Sequence, residues 1–256
     1  MSETMLLESY LKQLRLPMFL KNWRRFAEDA GASNHSYESY LLALAEQEVN
    51  QRERNRHENR IKSARFPVMR ELSDFDFSVI PQLNRSKVLQ LTQGDYISKA
   101  ETVLMIGTPG VGKTHVAISL GLSACRQGYK VRFYNAAGLV NELIQSQDDH
   151  RLPRFLTNAL KYQLIILDEL GFIPFSSVGS HLMFQFCSSL YERVAMIVTS
   201  NLSFSDWTQV FGDERLTAAL LDRLTHRSHI LEFVGESFRF RQRMKNQIVI
   251  EKEKEL

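Results

Sequence analysis

The stretch Gly107-Thr108-Pro109-Gly110-Val111-Gly112-Lys113-Thr114 constrains this chain more than any other. It satisfies the pattern G-x-x-x-x-G-K-[ST], a glycine-rich loop that cradles phosphate. Before it, Thr102-Val103-Leu104-Met105-Ile106 reads as a buried strand; after it, His115-Val116-Ala117-Ile118-Ser119-Leu120 reads as the start of a helix. A strand running into a loop and then a helix aims several partnerless N–H groups and a positive helix end at one point. An anion binds there. Glycine permits the backbone angles and close approach that such a loop needs. Lys113 is expected to offset charge on the β- and γ-phosphates, and the Thr114 hydroxyl to ligate Mg2+. The candidate nucleotide-binding loop therefore runs from Gly107 to His115, and the fold class is α/β.

Further along, Leu164-Ile165-Ile166-Leu167 is an apolar run ending in Asp168-Glu169. In an open α/β sheet, ligands sit at the carboxyl ends of the parallel strands. Asp168 is thus expected to meet the metal held by Thr114, and Glu169 to position or deprotonate an attacking water. Met196-Ile197-Val198-Thr199-Ser200-Asn201 is another buried strand ending in a polar amide, and Asn201 is expected near the water or the γ-phosphate. Ala218 to Leu224 reads as a helix end carrying Arg223, which either pairs with Asp222 or reaches a neighbouring subunit's γ-phosphate. Val131 to Tyr134 reads as a strand, with helices from Ala137 to Ser146 and on to Lys161.

Residues 1–65 read as helical. Leu7, Tyr10, Leu11 and Leu14 form one apolar stripe, expected to be core. Phe19, Trp23 and Phe26 continue at helical spacing after Pro17, with Gly31 as the expected C-cap and Ser36 as the N-cap of a third helix. From Gln51 to Arg70 the charge turns basic, Arg52, Arg54, Arg56, Arg60, Lys62, Arg65 and Arg70 outweighing Glu53 and Glu58. Arg52, Arg56 and Arg60 share one helix face. Such a stripe is either a solvated face or a track for phosphates. Pro67 and Pro81 punctuate a linker in which Asp74 to Phe77 and Gly94 to Ile97 are expected near a nucleotide base. No apolar run approaches the ~20 residues of a membrane span, and Met1 to Thr4 do not resemble a signal peptide. A cytoplasmic protein without a membrane partner is expected. Cys125 and Cys187, each in an apolar helix, are expected to be core residues.

Lys113, Asp168-Glu169, Asn201 and Arg223, in that order, resemble the AAA+ ATPases. Gly110-Val111-Gly112-Lys113-Thr114-His115, Asp168-Glu169-Leu170-Gly171, Thr199-Ser200-Asn201-Leu202, Leu221-Asp222-Arg223-Leu224 and Gly235-Glu236-Ser237-Phe238-Arg239 are similar to the helicase-loader group. Within that group the chain most resembles IstB-like proteins, ATP-dependent helpers of insertion-sequence transposition. The likeness extends over nearly the whole chain, including Leu14-Arg15-Leu16 and Phe75-Asp76-Phe77. It implies an AAA+ P-loop domain with a five-stranded parallel sheet in the order 5-1-4-3-2, an N-terminal helical module and a lid reduced or absent. The boundaries are 1–68 for the helical DNA- or partner-binding module and 69–256 for the ATPase domain. By this resemblance Lys113 and Thr114 are Walker A, Asp168 and Glu169 Walker B, Asn201 sensor 1 and Arg223 an arginine finger. A sensor-2 role for Arg239 is left open. ATP and Mg2+ are the expected ligands, with duplex DNA and a cognate transposase as partners and a ring or helical oligomer as the working form. The two helices between Ala137 and Lys161 match an insertion that faces DNA. Members usually carry a second histidine where this chain has Arg227, a change expected to be neutral. The alternative is a replicative helicase loader with the same ATPase. A non-hydrolysing scaffold would not need Glu169, and a small-molecule kinase would not need Asn201 with Arg223.

Overall fold

Ser2, Pro17 and Ser36 each open a helix in the computed structural model, which describes residues 2–235 and Ser237. The chain divides into two compact units, one up to Asn59 and one from Arg60 on. In the first, helix α1 (Glu3–Gln13) is capped by Ser2, whose Oγ accepts from Met5 N at 3.4 Å. Helix α2 (Pro17–Ala32) has Pro17 in its first turn, where a missing N–H costs nothing. Helix α3 (Tyr37–Ala64) begins at Ser36, whose Oγ accepts from Ser39 N at 3.2 Å. Glu48 is buried. Its carboxylate accepts from Met18 N at 2.8 Å and from Arg52 Nε at 2.7 Å, so it serves an N–H that the start of α2 leaves partnerless.

Two expectations fail in this unit. Of the α1 stripe only Leu11 is buried, while Tyr10 and Leu14 are 52% and 66% exposed. Periodicity identifies the apolar face of a helix, not what covers it. Gly31 does not end α2, which runs on to Ala32 and is capped at Ser33.

In the second unit, 3-10 turns at Leu72–Asp74 and Phe77–Val79 precede α4 (Arg85–Leu91) and α5 (Asp95–Ser98). Then follow β1 (Thr102–Gly107), α6 (Lys113–Arg126), β2 (Val131–Asn135), α7 (Ala136–Asp148), α8 (Leu152–Ala159) and β3 (Leu164–Leu170). After them come α9 (Ser177–Leu190), β4 (Ala195–Ser200), α10 (Thr208–Phe211), α11 (Glu214–Thr225) and β5 (Ser228–Phe233). All strand pairings are parallel, and the order is β2-β3-β4-β1-β5, the expected arrangement read from its other edge.

The apolar runs make sense once both faces of the sheet are covered. Ile166, Val103, Met105 and Ile197 pack with Val116 and Leu120 of α6 on one side. Ile165, Leu167, Leu104 and Val198 pack with Leu139, Phe186 and Leu220 on the other. The lid expectation and Arg239 fall on residues outside those described. Among the described residues no helix is long and apolar enough to cross a membrane. Cys125 and Cys187 are buried and free, as expected.

Candidate active site

The carboxyl ends of β1, β3 and β4 bring the expected polar residues to one edge of the sheet. Gly107 closes β1 with φ 144° against the Phe233 carbonyl, where an added Cβ would lie 1.9 Å from its oxygen. Gly112 (φ 102°) gives α6 its left-handed entry, and a Cβ there would meet the Phe75 ring at 2.6 Å. Neither position admits a side chain. Thr108 N and Oγ1 donate to the carbonyls of Phe233 and Gly235 at 3.1 and 3.0 Å, so the phosphate loop is tied to the strand end of β5.

Lys113 is 6% exposed, and its Nζ donates to the carbonyls of Gly107 and Thr108, both at 2.7 Å. Burial pushes its ammonium down to about 8, a shift that Asp168 and Glu169 partly oppose. A triphosphate beside it restores the charged form. ATP binding above pH 8 is therefore expected to take up protons, and affinity to fall as pH rises further. Titration calorimetry in buffers of different ionisation enthalpy reads this directly, and the uptake should vanish in Lys113→Arg. For folding the sign is opposite. The buried neutral lysine binds fewer protons than the unfolded chain, so its cost to stability shrinks as pH rises from about 8 toward 10.5.

Thr114 Oγ1 donates to Asp168 at 2.8 Å to Oδ1, with Oδ2 at 3.1 Å. Thr199 Oγ1 donates to Asp168 Oδ1 at 2.6 Å and accepts from Glu169 N at 2.9 Å. Burial pushes the Asp168 carboxyl above its ordinary value, and the two hydroxyl donors and Lys113 pull it back. The ladder between β3 and β4 shifts register between Leu167 and Leu170, and Glu169 has φ 60°. A bulge of this kind re-aims a side chain, and a left-handed non-glycine residue costs about 1–3 kcal/mol. The strain falls on the residue expected to handle water. Its carboxylate accepts from Asn135 Nδ2 at 3.0 Å.

Asn135 and Thr199 were not assigned roles from sequence. Asn135 ends β2, Thr199 stands one residue before the end of β4, and the register pairs Asn135 with Asp168, so the strand-end rule was the available signal. The segment before α4 also belongs here. The Glu71 carbonyl lies 2.8 Å from His115 Nε2, which must carry the proton, and the Arg70 carbonyl accepts from Ser119 Oγ at 2.9 Å. Phe75 stacks edge-on against His115 with centroids 5.4 Å apart, beside Gly112. Of the two segments expected near a base, Asp74–Phe77 is thus brought to the phosphate loop. Tyr96 and Ile97 of the other are buried in the core.

Asn201 follows β4 on the same edge, half-buried and without a side-chain hydrogen bond among the described residues. Arg223 is not in this group. Its Nη1 donates to the Ala219 carbonyl at 2.7 Å and its guanidinium lies 4.9 Å from the Phe184 ring centre, and among the described residues it makes no ion pair with Asp222. It lines a small recess with Thr102 and Met196, at the amino ends of β1 and β4. A six-residue strand spans roughly 17–20 Å, so Arg223 lies far from its own phosphate loop.

Thr114 and Asp168 offer hard oxygen donors to a cation, and no group of three or more His, Cys, Asp or Glu among the described residues is placed to hold a metal. That set fits Mg2+, which takes few protein oxygens beside those of phosphates and water.

The model of a family described as IstB-like ATP binding protein matches residues 9–246. An ATP-binding protein of insertion sequence IS5376 from Geobacillus stearothermophilus is 35% identical over 237 residues, 93% of this chain and 94% of that protein. The corresponding protein of insertion sequence IS21 from Pseudomonas aeruginosa is 35% identical over 239 residues, 93% of this chain and 90% of that one. The crystal structure of the DnaC helicase loader is 20% identical, with a TM-score of 0.50 over 59% of this chain and 87% of its own. At that identity the likeness concerns the AAA+ fold alone.

Proposed function

The chain belongs to the family of IstB-like ATP-binding proteins, and from that membership we propose that it is a DNA-dependent ATPase that assembles on duplex target DNA and delivers it to a partner transposase. The observation that carries the catalytic part is the chain of hydrogen bonds Thr114–Asp168–Thr199–Glu169 beside Lys113. ATP lies along the loop from Gly107 to His115, its β- and γ-phosphates drawing Lys113 Nζ away from the loop carbonyls. Thr114 and Asp168 would hold Mg2+, which offsets charge on the phosphates when bound. Glu169 orients a water for in-line attack and takes its proton on the carboxylate once the Asn135 hydrogen bond is released. Asn201 contacts the water or the γ-phosphate. The products are ADP and phosphate.

Arg223, remote from its own loop, completes the site of a neighbouring copy, so the working form is an oligomer on DNA. The N-terminal helical module, residues 1–68, serves DNA or partner binding. The insertion-sequence relatives, at 35% identity over more than nine-tenths of the chain, favour the transposition reading over a helicase loader, where the likeness is one of fold.

α3 leaves DNA fewer free arginines than its stripe contains. Arg60 Nε donates to the Cys125 carbonyl at 3.1 Å, a bond within the compact unit that begins at Arg60. Arg52 donates to Glu48 and to the Arg15 carbonyl. Arg56 is exposed and has no partner among the described residues. Arg52→Gln with Arg56→Gln is expected to flatten the slope of log K against log salt by up to about 2 units per subunit, at about 0.9 per phosphate contact. ATP affinity should not change. ATPase rates with and without duplex DNA, measured beside that salt series, test the proposal. An unstimulated rate and an unchanged slope would remove the DNA reading.

A further inference from the structure

We propose that Arg227 is a second cation that one copy of the chain delivers, beside Arg223, to the triphosphate bound by its neighbour. The proposal rests on the reading of Arg223 as a residue offered between copies. Lys99, Tyr191, Glu192, Arg223, His226 and Arg227 line the same recess at the amino ends of β1 and β4. Arg223 sits in the last turn of α11, and Arg227 follows four residues later, just past the His226 cap. The two guanidinium groups therefore leave the same helix end.

Their surroundings differ. Arg223 is half-buried and held on the Ala219 carbonyl and the Phe184 ring. Arg227 is exposed, with no side-chain hydrogen bond or ion pair among the described residues. The nearby carboxylate does not claim it: Glu192 Oε1 lies 3.9 Å from His226 Nδ1, which is also 2.8 Å from the Tyr191 hydroxyl. Yet the Arg227 backbone is fixed. Its carbonyl accepts from Thr102 N at 3.2 Å, extending the ladder between β5 and β1.

The conformation adds a second point. Arg227 has φ 56°, in the left-handed region just past a helix end, where glycine is the comfortable residue. Here the position carries a long cation with nothing of its own fold to neutralise. A strained backbone holding an unpaired arginine next to Arg223 is placed to meet an anion brought by another copy. The anion that a neighbour presents to Arg223 is the γ-phosphate end of ATP. The expectation that an arginine at this position is neutral is replaced by this one.

Arg227→Gly is the informative variant, because it removes the charge while easing the backbone. Melting temperature should hold or rise, whereas a merely structural arginine would lower stability and activity together. The decisive measurement mixes chains. A Lys113→Ala chain, whose own site is dead, should restore ATPase to an Arg223→Ala chain on duplex DNA with ATP and Mg2+. A Lys113→Ala/Arg227→Gly chain should restore about tenfold less, and Lys113→Ala/Arg227→Lys should recover most of the difference. Co-purification through a tag on one chain verifies that mixed assemblies form. Equal restoration by both donors overturns the role of Arg227 and leaves that of Arg223 standing. If neither donor restores activity, both fall together.

Discussion

Lys113→Ala is expected to weaken ATP binding by roughly 100-fold or more, whereas Glu169→Gln keeps ATP and loses turnover by about 10²–10⁴-fold. Lys113 opens α6 and Glu169 lies near the end of β3, and they act at different moments. The Lys113 ammonium already sits among loop carbonyls with its charge poorly solvated. Exchanging two carbonyls for phosphate oxygens gains charge-assisted hydrogen bonds in the bound state, and the alanine variant forfeits them. Glu169 makes no hydrogen bond to the loop among the described residues. Its carboxylate rests on Asn135 Nδ2, and its backbone is pinned by Thr199. Glutamine preserves that shape and removes only the proton acceptor. The Gln variant should therefore hold ATP-bound assemblies on DNA longer than the wild type. Isothermal titration of the first variant and single-turnover hydrolysis by the second separate the roles. Normal ATP affinity in Lys113→Ala would sink the assignment of Lys113.

How much of this was legible beforehand depended on whether the signal is local. The strands before Gly107 and Asp168 could be read because a parallel sheet covered on both faces demands unbroken apolar runs, and Leu164 to Leu167 supply one. β5 was not named from its residues. Ser228 to Phe233 is an edge strand in which only Leu231 and Phe233 are buried, so it carries polar residues that a central strand cannot. The α1 stripe had the right period, yet Leu7, Tyr10 and Leu14 are exposed, because spacing cannot say where the covering surface lies. Other contacts close over long stretches of chain. Arg60 meets a carbonyl 65 residues away, and His115 meets the Glu71 carbonyl 44 residues back. A charge stripe therefore could not disclose that two of its members, Arg52 and Arg60, already serve the fold. The Glu169 bulge is a third kind: nothing in Leu167-Asp168-Glu169-Leu170 announces a left-handed glutamate.

Arg223→Ala is expected to lower ATPase by ~10³-fold or more while its own loop still binds nucleotide. Distance decides where Arg223 can act. Gly107 and Thr114 lie at the carboxyl end of β1, and Arg223 lines a recess with Thr102 at the other end. A guanidinium separated from its own phosphates by the length of a strand cannot stabilise charge there, and Coulomb attraction through solvent over that span is screened. Its local contacts, the Ala219 carbonyl and the Phe184 ring, hold it at the surface in one orientation without neutralising it. Against a second copy the same group meets the γ-phosphate and completes a site that neither chain has alone. ATP then bridges two copies and ADP leaves one contact unmade, so assembly should follow the nucleotide. Sedimentation with ATP, with ADP and without nucleotide reads that effect, and a fluorescent ATP analogue reads the loop. Arg223→Ala should sediment as the ADP form does even when saturated with ATP. If it assembles and hydrolyses like the wild type, Arg223 serves only the end of its own helix.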